Sequence, residues 1–178
     1  MRHNFQTDVL MLLGGGDRRS IGHADEAARI VSANAKLFPG LIAGLWSDDA
    51  LVRMRAADAA EKITRNQPQL LAAHKKELLG LLCTADQQEL RWHLAAMIPR
   101  LPLNRKELQT VASAFNRYLE DRSSIVKTYA LQGLAELAEK TPGLRTSVME
   151  VLTQASRKGT PAMKARSRKL LLRLRANE

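Results

Sequence analysis

Cysteine and histidine, two residue types that often mark functional sites, are scarce in this sequence. Cys83 is the only cysteine, so no intrachain disulfide can form, and its position after two leucines predicts a small buried side chain. The four histidines lie far apart and form no ligand-spaced pair on one helix. The sequence therefore predicts neither a metal site nor a cofactor.

Long apolar runs are also missing. No run approaches the roughly 20 apolar residues that cross a bilayer, and the stretch 9–13 is too short for the core of a signal peptide. Aromatic residues make up only 4% of the chain, but an apolar fraction of 45% is ordinary for a folded protein, with leucine, alanine and valine to pack helices. We expect a globular, cytoplasmic protein with no membrane span.

The glycine-rich stretch 14–22 lacks the features of a phosphate-binding loop. No Gly-Lys-Ser/Thr follows its three consecutive glycines, and no strand precedes them. A flexible turn is the better interpretation. On this interpretation Arg18 and Arg19 remain of interest, because they would adjoin mobile glycine amides.

A repeated helical pattern is the main feature that is present. From Asp48 to Ile63 a turn is followed by apolar residues spaced for one face of an α-helix. The pattern returns from Asp86, from Asp121 and, weakly, from Gly159. Its apolar–basic pairs are spaced by 38, 36 and 37 residues, and they are Val52-Arg53, Leu90-Arg91, Val126-Lys127 and Met163-Lys164. A constant period of this size is typical of a helical solenoid.

Helix-capping and helix-ending residues predict the other helices of an all-α chain. Pro99 should end its helix, Asn104 and Glu107 form a capping-box pattern, and Thr160-Pro161 suits a helix start. The predicted helices lie near 1–13, 24–36, 38–46, 51–64, 69–83, 87–101, 105–119, 124–139, 142–156 and 161–175. We expect one domain over 1–178, with a cap and partial repeat in 1–36 and helix pairs in 37–68, 69–103, 104–140 and 141–178.

The repeated Asp-x-x-x-Leu/Val-Arg-x-x-x-Ala core resembles the HEAT-repeat family of armadillo-like helical solenoids. The resemblance covers about residues 37–175; it is strongest from Asp48 to Ile63 and from Asp86 to Leu101, and Gly159 to Leu174 lacks the acid. It implies a right-handed α-α superhelix of about four to five helix pairs, with second helices lining the concave face. It implies no particular chemistry.

The bases that align the repeats have two interpretations. In HEAT proteins the turn acid and this base commonly form a ladder between units, and the resemblance would give Asp48, Asp86 and Asp121 that role. Arg53, Arg91 and Lys127 would then hold the stack together. The alternative is that Arg53, Arg91 and Lys127 bind a ligand directly, and among them Arg91 and Lys127 are candidate partner-binding residues.

Residues off both the ladder and the apolar stripe are the better partner-binding candidates. Arg55, Trp92 and His93 lie near the starts of second helices, so we expect them near one edge of the concave face. Trp92 could stack a base or hold a partner's side chain, or it could pack against the next helix pair. Trp46 is predicted to be packing.

The net charge of +10 is concentrated at the end of the chain. Residues 155–178 hold eight bases against one acid, a balance of +7, which leaves +3 for the rest. This basic patch is either a solvated end cap or a binding site for phosphates or acidic protein, and its main members are Lys164, Arg166, Arg168, Lys169 and Arg173.

The leading functional hypothesis is therefore a non-enzymatic interaction module that binds a protein partner on its concave face. The rival is a nucleic-acid-binding protein that uses the basic C-terminal repeat. HEAT-like DNA glycosylases for alkylated bases are a third comparison, since they use an acid with aromatics on the concave face. Asp58 and Trp92 are the nearest residue types here, but no motif maps them residue by residue.

Overall fold

A computed structural model describes residues 5–15 and 22–176, with side chains from residue 9 onward. These residues form ten α-helices and five short 3₁₀ segments, and no strand occurs among them. The all-α prediction is confirmed over this part of the chain. Within it, no helix is long and apolar enough to cross a membrane. Arg18 and Arg19 lie outside the described residues.

The first five helices are α1 (Phe5–Leu13), α2 (Ala24–Ala33), α3 (Phe38–Ala43), α4 (Ala50–Asn66) and α5 (Lys75–Thr84). The second five are α6 (Gln88–Met97), α7 (Arg105–Tyr118), α8 (Ser124–Lys140), α9 (Arg145–Lys158) and α10 (Pro161–Ala176). The 3₁₀ segments are Ala35–Leu37, Gly44–Trp46, Pro68–His74, Ile98–Arg100 and Pro142–Leu144.

Local capping chemistry sets several of these ends as the sequence predicts. The Asn104 side chain accepts a hydrogen bond from the Glu107 amide at 2.9 Å, and the Glu107 carboxylate accepts one from the Asn104 amide at 2.7 Å. This capping box starts α7. Pro99 lies in the 3₁₀ segment that ends α6.

The predicted helices near 69–83 and 142–156 begin later than the sequence suggests. Pro68–His74 and Pro142–Leu144 are 3₁₀ segments, and the α-helical bonding starts at Lys75 and Arg145. Short 3₁₀ turns are frequent at helix N-termini, where proline is tolerated because its missing amide proton would be unpaired there.

The chain divides into two compact units, Met1–Glu77 and Leu78–Glu178, with the boundary inside α5. In the first unit, α1 contacts α2, α3 and α4, and α4 also packs against α2 and α3. The core of this unit includes the predicted inner residues of α3 and α4, all buried: Phe38, Leu41, Ile42, Val52, Ala56, Ala59, Ala60 and Ile63.

In the second unit α8 is central. It contacts α6 and α10, the other second helices of the predicted pairs, and it also contacts the first helices α7 and α9. The predicted inner residues of α6, α8 and α10 are all buried: Leu90, Leu94, Met97, Val126, Ala130, Leu134, Leu137, Met163, Leu170, Leu171 and Leu174. The 3.6-residue pattern therefore predicted the inner faces of these three helices correctly.

Two side chains that the sequence predicts to be packed are exposed. Cys83 is exposed because Leu78 and Leu82 provide the buried face of α5, and the next residue is rotated about 100° away from Leu82. Trp46 is 47% exposed at the end of a 3₁₀ segment, where Leu45 takes the buried position.

Candidate functional site

One position of the repeat, three residues after the aligned apolar residue, carries four polar or aromatic side chains. They are Arg55 on α4, His93 on α6, Tyr129 on α8 and Arg166 on α10. Arg55 and His93 are each only 2% exposed, whereas Tyr129 and Arg166 are half-buried. The side chain at this repeat position is therefore buried in α4 and α6 and partly exposed in α8 and α10.

Arg55 binds the end of α1. Its Nη1 donates to the main-chain carbonyl oxygens of Leu13 at 2.9 Å, Gly14 at 3.4 Å and Gly15 at 2.5 Å. These are carbonyls of the kind that a helix end leaves without an internal donor. The backbone at Gly22 also approaches closely, since a Cβ there would lie 2.6 Å from the guanidinium carbon. Arg55 thus acts within the fold and offers little surface to the partner that the sequence assigned to it.

Lys62, one turn after Asp58 on α4, joins two carboxylates. Its Nζ lies 2.5 Å from Asp25 Oδ1 on α2 and 2.6 Å from Asp58 Oδ2. Burial lowers the pKa of Lys62, but the hydrogen bonds to Asp25 and Asp58 outweigh it and hold that pKa above its ordinary value. Asp58, the acid considered for a glycosylase, is therefore tied to a lysine.

Arg91 lies at the junction of α6 and the turn before α8. Its Nη1 is 2.5 Å from Asp121 Oδ2, and its Nε donates to the Ala85 carbonyl oxygen at 2.7 Å. The Arg91–Asp121 contact joins the aligned base of one predicted repeat to the turn acid of the next. The guanidinium also lies 5.7 Å from the Tyr118 ring centre. Arg91 therefore makes polar contacts on both sides, with Ala85 before α6 and with Asp121 before α8.

Arg53 and Lys127 occupy the same repeat position on α4 and α8. Arg53 donates to the carbonyl oxygens of Ser47 at 2.7 Å and Asp48 at 3.1 Å. The Ser47 contact spans six residues, as the Arg91–Ala85 contact does, so the local geometry repeats in the two units. Lys127 is half-buried on α8 and has no polar partner among the described residues.

Trp92 and Tyr129 form an aromatic cluster between α6 and α8. Their ring centres are 5.2 Å apart with a tilt of 37°, and the Trp92 ring also stacks on His93 with centres 3.5 Å apart. Trp92 and Tyr129 are half-buried, and Ile125, one turn before Tyr129, is 54% exposed. We call the surface formed by Trp92, Tyr129 and Ile125 the aromatic patch.

A basic groove runs along the surface where α8 and α10 meet. It has a volume of about 510 Å³ and is lined by Thr128, Gln132, Ala162, Ala165, Arg166, Lys169, Leu170 and Arg173. We call this the α8–α10 groove. Three of the five predicted basic-patch residues, Arg166, Lys169 and Arg173, line it together because they follow one flank of α10.

The cations of the α8–α10 groove are paired unequally. Arg166 Nη1 donates to Gln132 Oε1 at 2.9 Å, and Gln132 Nε2 donates to Glu136 Oε1 at 2.6 Å. Arg173 Nε lies 2.5 Å from Glu139 Oε1. Lys169 has no polar partner in the part of the chain that the structure describes. The groove therefore keeps one unpaired ammonium and one arginine held only by a neutral amide.

The rest of the basic patch lies outside the groove. Lys164 is half-buried and Arg168 is exposed, and neither has a side-chain polar partner among the described residues. Leu172, one turn after Arg168, is 67% exposed. This outer face of α10 carries cations but does not line the α8–α10 groove.

The structure shows no cluster of metal ligands within residues 5–15 and 22–176. No group of three or more histidine, cysteine, aspartate or glutamate residues is placed there to hold a metal ion.

The chain matches no known protein-family model and no curated protein.

Sequence reasoning found the basic side of the groove but missed the residues that shape it. Gln132 supplies the amide that orients Arg166, and Tyr129 and Ile125 complete the aromatic patch. The repeat alignment could have identified Tyr129, because Tyr129 occupies the same repeat position as Arg55 and His93. The pairing of α8 with α10 across the groove requires the three-dimensional packing.

Proposed function

We propose that this chain is a non-enzymatic interaction module built from HEAT-type helix pairs, which binds a protein segment on the layer formed by α6, α8 and α10. The fold support is local: helices that repeat with the expected period, the packing of α8 against both α6 and α10, and the ion pair between Arg91 and Asp121. In the HEAT arrangement these second helices line the concave face.

The aromatic patch carries this proposal. Exposed or half-exposed Ile125, Tyr129 and Trp92 lie on two adjacent helices, and large apolar side chains in such a position are typical anchors for protein partners. One face of Trp92 is already covered by His93 at 3.5 Å, which leaves less ring surface for a nucleobase to stack on. Protein side chains can still pack against the ring edges.

A pull-down from the source cell's extract tests the proposal. Wild-type protein and Ile125→Asp are compared, with Trp46→Ala as the control, because Trp46 is an exposed aromatic outside this helix layer. We expect a specific protein to be retained by wild type and by the control and lost from Ile125→Asp. Retention that is unchanged in Ile125→Asp, or that nuclease treatment abolishes, would contradict the proposal.

Nucleic acid is the second candidate because Lys164, Arg168 and Lys169 have no ion-pair partners in the described structure. Fluorescence anisotropy with labelled duplex DNA, single-stranded DNA and RNA at about 150 mM salt tests it, since lower salt favours unspecific binding. Tight binding that weakens in Arg166→Ala/Arg168→Ala, with a reduced salt slope, would make nucleic acid the function. No binding under these conditions would eliminate this candidate.

A further inference from the structure

We infer that the α8–α10 groove binds carboxylates of an acidic, amphipathic protein segment whose apolar side packs on the aromatic patch. This inference rests on the proposed function and adds the chemistry of the partner. It joins two surfaces that share α8, since Tyr129 belongs to the aromatic patch and Gln132 lines the groove one turn later.

The charge balance of the groove favours a ligand with a few separated negative charges. Arg173 is neutralised by Glu139, whereas Arg166 is held by a neutral amide and Lys169 is unpaired. Arg166 and Lys169 are three residues apart, so they lie on one side of α10 about 4.5 Å apart along its axis. Two carboxylates one helical turn apart on a partner would match this spacing.

The acids on α8 disfavour a polyphosphate in the same place. Glu136 is bonded to Gln132, and Glu139 is bonded to Arg173, so both carboxylates lie beside the groove. A continuous phosphate backbone would bring charges against these acids as well as against the cations, and like charges in such proximity disfavour binding. A segment with acids at selected positions can meet Arg166 and Lys169 and avoid Glu136 and Glu139.

The size and lining of the groove also fit side chains of this kind. Its volume of about 510 Å³ is open enough for several side chains, and Ala162 and Ala165 keep the α10 wall low. The Thr128 hydroxyl already donates to the Ser124 carbonyl oxygen at 2.7 Å. The strong free donors toward a ligand are therefore the guanidinium of Arg166 and the ammonium of Lys169.

Synthetic peptides test the inference on the full chain. The probe is a labelled amphipathic helical peptide with a leucine stripe beside a glutamate stripe, and its matched partner has glutamine at every glutamate. Affinities are measured by fluorescence anisotropy at about 150 mM salt, near physiological ionic strength. We expect the glutamate probe to bind at least about tenfold more tightly than the glutamine probe, which is about 1.4 kcal/mol.

A pair of matched variants places the binding. Arg166→Gln/Lys169→Gln removes two charges from the groove, and Arg168→Gln/Arg175→Gln removes two from exposed positions on the other flank of α10. The groove variant should weaken the glutamate probe about tenfold, and the flank variant less than about twofold. Circular dichroism of both variants checks that the helices are intact.

Each alternative result overturns a defined part of the account. Equal weakening by both variants would mean unspecific attraction to a basic helix, and it would end the inference. Equal affinity for both probes, lost in Ile125→Asp, would reject the acidic partner but keep the protein-binding proposal. Absence of binding by either probe, or groove-dependent binding of duplex DNA that exceeds that of the glutamate probe, would also reject the inference.

Discussion

The helices α4 and α10 occupy equivalent places in the repeat but use their charged stripes differently. On α4, Arg55 binds three carbonyl oxygens and Lys62 binds two carboxylates. On α10, Arg166 is held by one amide oxygen, and Lys169 has no polar partner among the described residues. The charged side chains on α4 bind groups within the fold, whereas Arg166 and Lys169 on α10 can still bind a ligand.

This difference shows why a repeat pattern alone does not identify a binding residue. The repeat alignment places Arg55 and Arg166 at the same position, and the sequence predicts that both side chains lie near the surface. Their roles diverge because α1 and the backbone near Gly22 enclose Arg55, whereas an open groove borders Arg166. The neighbours, which come from elsewhere in the chain, decide the function of the side chain.

Replacing each arginine by methionine is the strongest way to test the comparison. Arg55→Met would leave the buried carbonyl of Leu13 and the partly buried carbonyl of Gly15 without their donor, and we expect a loss of about 3 kcal/mol in the free energy of unfolding. Arg166→Met should change it by less than about 0.5 kcal/mol, since its side chain borders the surface. Urea unfolding followed by circular dichroism measures both; equal losses would contradict the comparison.

The backbone around Arg55 provides the second test. Gly22 has a φ of +53°, and a Cβ there would lie 2.6 Å from the Arg55 guanidinium carbon, so Gly22→Ala adds strain and a clash. We expect a loss of about 2 kcal/mol. Gly80→Ala is the control, because a Cβ at Gly80 meets nothing within 4 Å and alanine favours the helix. A Gly22→Ala protein as stable as the control would show that Arg55 is not enclosed as described.

Lys62 should give a smaller and pH-dependent effect. Its folded-state pKa is raised, so its stabilising contribution is complete below the unfolded pKa of about 10.4 and is lost as the pH rises through the folded value. Lys62→Met should cost about 1 kcal/mol at neutral pH, and the difference from wild type should shrink above about pH 10.4. Thermal unfolding of both proteins across this range checks the prediction. A difference that stays constant with pH would contradict the ion-pair role.

Lys169→Met should have the smallest effect on stability. Because Lys169 has no polar partner within the described residues, we expect a change below about 0.5 kcal/mol in either direction. The same substitution should still weaken binding of the glutamate probe. A marked loss of stability in urea unfolding would mean that Lys169 serves the fold, as Lys62 does, and the contrast between α4 and α10 would fail.

The sequence predicted helix periodicity well because burial of an apolar stripe is a local property. The inner residues of α4, α6, α8 and α10, the capping box at Asn104 and the helix end at Pro99 were all predicted correctly. Arg55 was placed on a surface because its acceptors lie about 40 residues earlier in the chain. His93 and Cys83 were misplaced for a similar reason, since the neighbouring helices decide which flank of a stripe is covered.

For the α8–α10 groove, the sequence predicted the positive charge but not the residues of the opposite wall. The excess of bases near the C-terminus identified Arg166, Lys169 and Arg173, and their spacing placed them on one flank. The opposite wall of the groove comes from α8, through Thr128 and Gln132, and no local pattern marks those residues as a site.

The most direct test is to map the glutamate probe on the uniformly ¹⁵N-labelled protein by amide chemical-shift changes. The account predicts shifts at the residues of the α8–α10 groove and the aromatic patch, with Gln132, Ala165 and Lys169 among the largest. It predicts no change for Asp58 and Lys62 on α4. Shifts of equal size on α4 and α10, or shifts confined to the outer face of α10 around Arg168 and Leu172, would contradict it.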